Sequence, residues 1–313
     1  MKTYLVILLL GTILLSCDTS ENVEENQTVE KATVSDLSFD GYYQKISYAI
    51  GLDHGTAGKA IYEDEKLTGK FDVAEIRNGL VDYLSSNPLK IIPNTADSIL
   101  ELYLVKDGNV DSSAVSQEIG SYAIGVNEAI VLVSSFVARG IDQDINAALL
   151  IKGINDGLDG IETSYELEDA QVDIASFYAG VNLKNEQDFF ANNGKKSGVM
   201  ATTSGLQYQI FESGMGPRPN SSDSVVVHYT GRFINGQEFD SSIPSGYPAR
   251  VSLLNMIKGW SEGVALMNKG AKFRLFIPSK LAYGEKGRDY IEANTPLVFD
   301  VELIDIISYV PNY

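Results

Sequence analysis

The sequence predicts an α+β protein: an all-α domain of two repeated helical modules, then a C-terminal antiparallel β-sheet wrapped on one short helix. Three observations predict it. SYAIGL at 47–52 returns as SYAIGV at 121–126, and the same offset aligns residues as far as Leu84 and Leu158. Short runs rich in β-branched and aromatic residues fill the last third of the chain, punctuated by glycine and proline. The charge divides at the same place. The net formal charge is −18, yet residues 203–313 carry 10 Lys+Arg against 11 Asp+Glu, so the acidic excess lies in front. With 313 residues, 44% of them hydrophobic, the chain can build more than one core. An acidic front repels phosphate backbones, which argues against nucleic acid as a partner.

The chain opens MKTYLVILLLGTILLSC. Lys2 is a minimal positive end, and residues 4–15 form an apolar stretch too short to span a bilayer comfortably. It reads as a secretory signal over residues 1–17. Leu-Leu-Ser-Cys resembles the lipobox of bacterial lipoproteins, in which the signal is cut before the cysteine and the thiol is acylated. Cys17, the single cysteine, is then the lipid attachment point, and the protein is held on a membrane of the bacterial envelope. The competing reading is an ordinary cleaved signal with an unpaired thiol. Residues 18–40 are polar and acidic without apolar periodicity, and read as a flexible tether.

Residues 41–198 read as the helical domain, with repeats at 47–84 and 121–158. The offset pairs Phe71 with Ile145, Ala74 with Ala148, Gly79 with Gly153, Leu80 with Ile154 and Asp82 with Asp156. Each copy reads as helix, loop, helix. A further helical stretch follows each copy, at 95–105 and at 168–193; the second is a long linking helix expected to end at a C-cap formed by Asn193 and Gly194. Gly51, Gly55 and Gly58 suggest close helix packing, since no strand precedes them as in a phosphate loop. His54 has no second ligand-type residue at metal spacing and reads as a surface or cap histidine. The two modules would pack on each other as an internal pseudo-dimer, although the sequence leaves a homodimer open.

Glycine, serine, threonine and proline cluster over 195–224, marking the boundary to a domain at 199–313. GLQYQIF, VVVHYTGRFI, AKFRLFIP and PLVFDVELIDI read as strands. Between the second and third of these strands, residues 255–270 read as a helix with Ile257, Trp260, Val264 and Met267 on one face and Gly270 at its end. Asn235-Gly236 signals a two-residue hairpin turn. Such a turn sets Gly231 opposite Asp240 and makes Tyr229 the diagonal neighbour of Asp240, roughly 7–8 Å away, within reach of a phenol–carboxylate hydrogen bond. Phe239 and Asp240 line one face only if a bulge intervenes. Geometry alone leaves two readings open: a core tyrosine capped by an acid, or a functional pair.

Together, VVVHYTGRFINGQEFDSS, IKGWSEGVALMNKGAKFRLFIPSKLAYG and PLVFDVEL resemble the FKBP-type peptidyl-prolyl cis-trans isomerases in order and spacing. The helical SYAIG modules and SGLQYQIFESGMGPRP resemble the longer macrophage-infectivity-potentiator type, envelope proteins whose helical dimerisation domain is joined to the isomerase by a long helix. The resemblance implies a pocket of Tyr229, Phe239, Asp240, Met256, Ile257, Trp260, Tyr283 and Phe299, with Trp260 as its floor and the Ile257 main chain as donor to a substrate carbonyl. It implies proline-containing polypeptide clients, and neither metal nor cofactor. EKGRDYIEANTP departs from the family's Pro- and Gly-rich tip and sets Tyr290 and Ile291 at the pocket rim; Tyr247 is assigned there as well. The competing function is a proline-binding chaperone with little or no turnover.

Overall fold

The computed structural model describes residues 41–308, apart from 65, 66, 68, 105–109 and 112. Cys17, the signal and the tether lie outside the described residues. The chain divides into two compact units between Phe177 and Tyr178.

The helical unit holds α1 (Tyr42–Tyr62), α2 (Val73–Leu84), α3 (Ala96–Tyr103), α4 (Gln117–Arg139), α5 (Ala147–Asp159) and the first turns of α6 (Leu167–Asn193). Side-chain oxygens of Asp72, Ser116 and Asn146 cap the N-termini of α2, α4 and α5. The modules exchange partners: α1 packs on α5, and α2 on α4. Glycines permit the approach. A Cβ on Gly51 or Gly153 would run into the backbone of α5 or α1; one on Gly125 or Gly79 would do the same between α4 and α2. Gly55 has the same role against Ile154, whereas Gly58 meets only side chains, Tyr62 of its own helix and Leu158.

The polar contacts obey the repeat offset. Tyr48 Oη donates to Asp156 Oδ2 at 2.8 Å, and Tyr122 Oη to Asp82 Oδ2 at 3.0 Å. The backbone N–H of Asn146 donates to Ser47 Oγ and that of Asp72 to Ser121 Oγ, both at 2.9 Å. The third helices correspond too: Ala96, Leu100 and Tyr103 of α3 match Ala170, Ile174 and Phe177 of α6, all buried. α3 stops at Tyr103, while α6 runs on to Asn193. His54 is neither a surface nor a cap residue. It lies inside α1, its side chain 13% exposed, 3.4 Å from Glu128, its own counterpart in the repeat. Where a two-fold axis would bring one residue against itself, this chain places a histidine against a carboxylate.

The second unit comprises the C-terminal half of α6 and an antiparallel sheet of β1 (Val199–Ala201), β2 (Gln207–Ser213), β3 (Ser224–Phe233), β4 (Glu238–Ser241), β5 (Ala249–Ser252), β6 (Ala271–Ile277) and β7 (Leu297–Ile307). The order is β1-β2-β6-β7-β3-β4, with β5 also paired to β3. Along β7, Leu297, Phe299, Val301 and Leu303 point into the core while Asp300 and Glu302 point away, the period-two alternation of a sheet covered on one face. Asp300 receives Arg274 and Arg232 there; burial pushes its carboxyl up, but the two guanidiniums outweigh this and hold it below the ordinary range.

The covering helix is α7 (Lys258–Ala265). It buries Trp260 and Val264 completely, and Gly259 and Gly263 let it close on Ile277 and Leu275. It is shorter than the periodicity predicts. A 3-10 turn at Leu253–Asn255 precedes it, and Gly270 (φ 87°) serves the turn into β6 instead of a helix end. α6 ends at Asn193 as expected, but Gly194 is not the left-handed residue; Gly198 is, at φ 80°.

Candidate functional site

The site begins with the hairpin of β3 and β4. The turn is not the two-residue one that Asn-Gly signals. Phe233 N–H donates to the Gln237 carbonyl and Gly236 N–H returns to the Phe233 carbonyl, giving a three-residue loop with Gly236 at φ 93°. That shifts the register by one: Arg232 faces Glu238. The register then slips between Arg232 and Gly231, so that Gly231 faces Asp240 and Phe239 is the extra residue. The loop and the bulge offset each other. Asp240 ends where the simpler hairpin would put it, while Phe239 is released to turn toward the same cluster.

Tyr229 Oη donates to Asp240 Oδ2 at 2.8 Å. Burial, then the Asp240 carboxylate, push the Tyr229 hydroxyl up to about 12. Asp240 itself is solvent-exposed, so the pair stands at the edge of the apolar cluster and not inside it. Ser242 fixes the Tyr229 backbone: its Oγ accepts from Tyr229 N–H at 2.9 Å, and its own N–H donates to the Tyr229 carbonyl at 3.0 Å.

The rings assemble around Gly231. Phe239 meets Phe299 edge-on, centroids 5.6 Å apart; Tyr229 lies 6.3 Å from Phe299, and Phe233 5.0 Å from Phe239. A Cβ at Gly231 would sit 2.8 Å from both Phe239 Cζ and Phe299 Cε1, so the missing side chain is what lets the rings close over the strand. Phe299 joins these rings to the core of the unit, which also buries Trp260; Tyr229, Phe239, Met256, Ile257 and Tyr283 pack half-buried against that core. Ile257 forms the N-cap of α7, its carbonyl accepting from the N–H groups of Trp260 and Ser261.

The rim differs from the sequence expectation in two places. Ile291 is not exposed there: it is 5% exposed and belongs to the core, because Arg288 and Ile291 exchange two backbone hydrogen bonds of 2.8 Å that turn it inward. Tyr247 stands 78% exposed and outside the cluster, on the glycine turn after Ile243–Ser245. Tyr290 does border the site, half exposed, its hydroxyl donating to the Phe239 carbonyl at 3.4 Å. Sequence reasoning missed Gly231, Phe233 and Ser242. Only the register of the bulged hairpin, which no local pattern encodes, shows what they touch.

Two family profiles match the chain: FKBP-type peptidyl-prolyl cis-trans isomerase over residues 216–304, and the domain amino terminal to FKBP-type peptidyl-prolyl isomerase over residues 116–210. The first helical module lies ahead of both. Among relatives, the FKBP-type peptidyl-prolyl cis-trans isomerase FkpA of Aeromonas hydrophila is 37% identical over 237 residues, covering 69% of this chain and 86% of the relative. Outer membrane protein MIP of Legionella longbeachae is 36% identical over 201 residues, 59% of this chain and 84% of that protein. The crystal structure of FkpA from Escherichia coli aligns with a TM-score of 0.44 at 31% identity, over 61% of this chain and 96% of that one.

Proposed function

The chain belongs to the FKBP-type peptidyl-prolyl cis-trans isomerases, and from that premise we propose that the cluster around Gly231 and Trp260 is where it turns the Xaa–Pro bond. One observation carries the assignment: the bulge at Phe239 gathers Tyr229, Phe239, Asp240 and Phe299 at one place. Rotation about a peptide bond faces a barrier of roughly 18–20 kcal/mol because the C–N bond is partly double. Left alone, Xaa–Pro isomers interchange in roughly tens to hundreds of seconds. No nucleophile is required. Apolar walls take water from the amide and disfavour its polar planar form relative to the twisted one. The Ile257 N–H donates to a substrate carbonyl, the Tyr283 hydroxyl bonds a second polar group, and Met256 adapts to the ring's neighbours. Asp240 orients Tyr229, whose hydroxyl keeps its proton throughout the neutral range.

Trp260 is the single tryptophan, so its fluorescence reports the floor directly. Titration of residues 18–313 with a Xaa-Pro peptide is expected to shift that emission saturably. Phe299→Ala is expected to weaken the titration at least about tenfold. Saturable binding without catalysed exchange would instead support the proline-binding chaperone.

The signal and Leu-Leu-Ser-Cys support attachment through an acylated Cys17 to a membrane of the bacterial envelope, with envelope polypeptides as clients. Incorporation of labelled palmitate that Cys17→Ser abolishes tests this. The exchanged helices, the polar contacts repeated at one offset and the complementary His54–Glu128 pair support an internal pseudo-dimer. Sedimentation of residues 18–313 should then give a monomer, and a tight dimer would overturn it.

A further inference from the structure

The half of α6 that belongs to the isomerase unit presents Ala179, Asn182 and Glu186 on one face. The amide nitrogen of Asn182 donates to Glu292 Oε2 at 3.0 Å, to the Ala293 carbonyl at 3.1 Å and, at 3.4 Å, to Thr295 Oγ1. Asn294 returns a hydrogen bond from Nδ2 to the Ala179 carbonyl at 3.2 Å. One turn on, Glu186 Oε2 accepts from Ser279 N–H at 2.9 Å. These contacts grip the two segments that bring site residues in from outside the sheet. Ser279 starts the turn that leads to Tyr283. Residues 284–295 deliver Tyr290 to the Phe239 carbonyl and Ile291 to the core.

Segment 284–295 holds four residues in the left-handed region. Asp289 (φ 48°) and Asn294 (φ 57°) are non-glycine residues in the left-handed region, beside Gly284 and Gly287, both at φ 63°. Its backbone bonds are the Arg288–Ile291 pair and those from Asn294 and Gly287 to the Gly284 carbonyl. A segment held at strained dihedrals needs outside contacts, and α6 supplies them.

We infer that Asn182 is a positioning residue of the isomerase: it fixes segment 284–295 against α6, and through Tyr290 sets how the site discriminates the residue before proline. The inference rests on the site assignment above. It follows that the catalytic unit starts in the middle of α6, well before the first strand.

The experiment measures kcat and KM separately on peptides with leucine, alanine, glutamate and lysine before proline, using residues 18–313. Asn182→Ala removes the three donations. Asn294→Gly removes the return bond while accepting the left-handed backbone, and keeps the test open where Asn182→Ala does not fold. Phe239→Ala is the control for the site. Each of the first two variants is expected to lose about three- to tenfold in kcat/KM and to narrow the spread among the four peptides. A purely structural role would lower thermal stability and leave that spread unchanged. Inactive Phe239→Ala beside wild-type kinetics in folded Asn182→Ala or in Asn294→Gly overturns the inference alone. Fully active Phe239→Ala overturns the site assignment and the inference with it.

Discussion

Gly231→Ala would insert one methyl group where two rings already meet. The new Cβ would lie 2.8 Å from Phe239 Cζ, 2.8 Å from Phe299 Cε1 and 3.0 Å from Phe239 Cε2. Carbon atoms rest at roughly 3.5–4.0 Å, so the rings must withdraw by about 1 Å. Phe299 has nowhere to go: it is 5% exposed, on a strand hydrogen-bonded on both sides to β3 and β6. Phe239 yields instead, because it is the bulged residue, half-buried near the sheet edge. Overpacking of this kind costs about 1–3 kcal/mol, and an exit for Phe239 puts the cost in the lower half. The same movement dismantles the wall of the site. Urea denaturation should therefore show a loss of about 1–2 kcal/mol at unchanged slope, with kcat/KM falling at least about tenfold. Gly231 does not have a left-handed φ, so backbone strain does not confuse the reading. A variant with wild-type midpoint and wild-type kcat/KM would refute the packing described around Gly231.

Catalysed exchange should stay level from about pH 6 to about pH 9, since Tyr229 is held at about 12 and transfers no proton; a bell-shaped profile would contradict the role given to it. In alkali the sign is fixed by linkage. Tyrosine ionises near 10 in the unfolded chain, so the Tyr229 contribution is complete below about 10 and is lost as pH rises towards about 12; Tyr229→Phe should unfold less steeply there. In the helical unit, Gly125→Ala would place its Cβ inside the Ile76 backbone, where no side chain can yield, and should cost at least about 3 kcal/mol by calorimetry.

Much of this architecture is legible in the sequence, for physical reasons that can be named. The offset of the SYAIG modules identifies equivalent residues, because a repeated fold needs the same glycines and tyrosines at equivalent crossings. It does not say which helix packs on which. That choice puts His54 against Glu128, a contact no local pattern can encode. The hairpin is a sharper case. Asn-Gly predicts a two-residue turn and so places Gly231 opposite Asp240. The register is right, but it arises from a three-residue loop offset by a bulge. Both hairpins satisfy the same hydrogen-bonding ends; only the second turns Phe239 toward Phe299. The family resemblance sets Ile291 at the rim by its place in the 285–292 loop; it does not encode the tight Arg288–Ile291 pairing that turns the side chain inward. Asn182 and Glu186 carry no apolar periodicity, so nothing in the helix pattern marks them as contacts.

The most direct test is exchange spectroscopy of the cis and trans forms of a Leu-Pro peptide with residues 18–313, beside Asp240→Ala and Phe239→Ala. Accelerated interconversion, lowered by Asp240→Ala and nearly abolished by Phe239→Ala, is the result expected of non-covalent isomerisation in this cluster. Acceleration untouched by either substitution in folded protein would place the catalysis elsewhere.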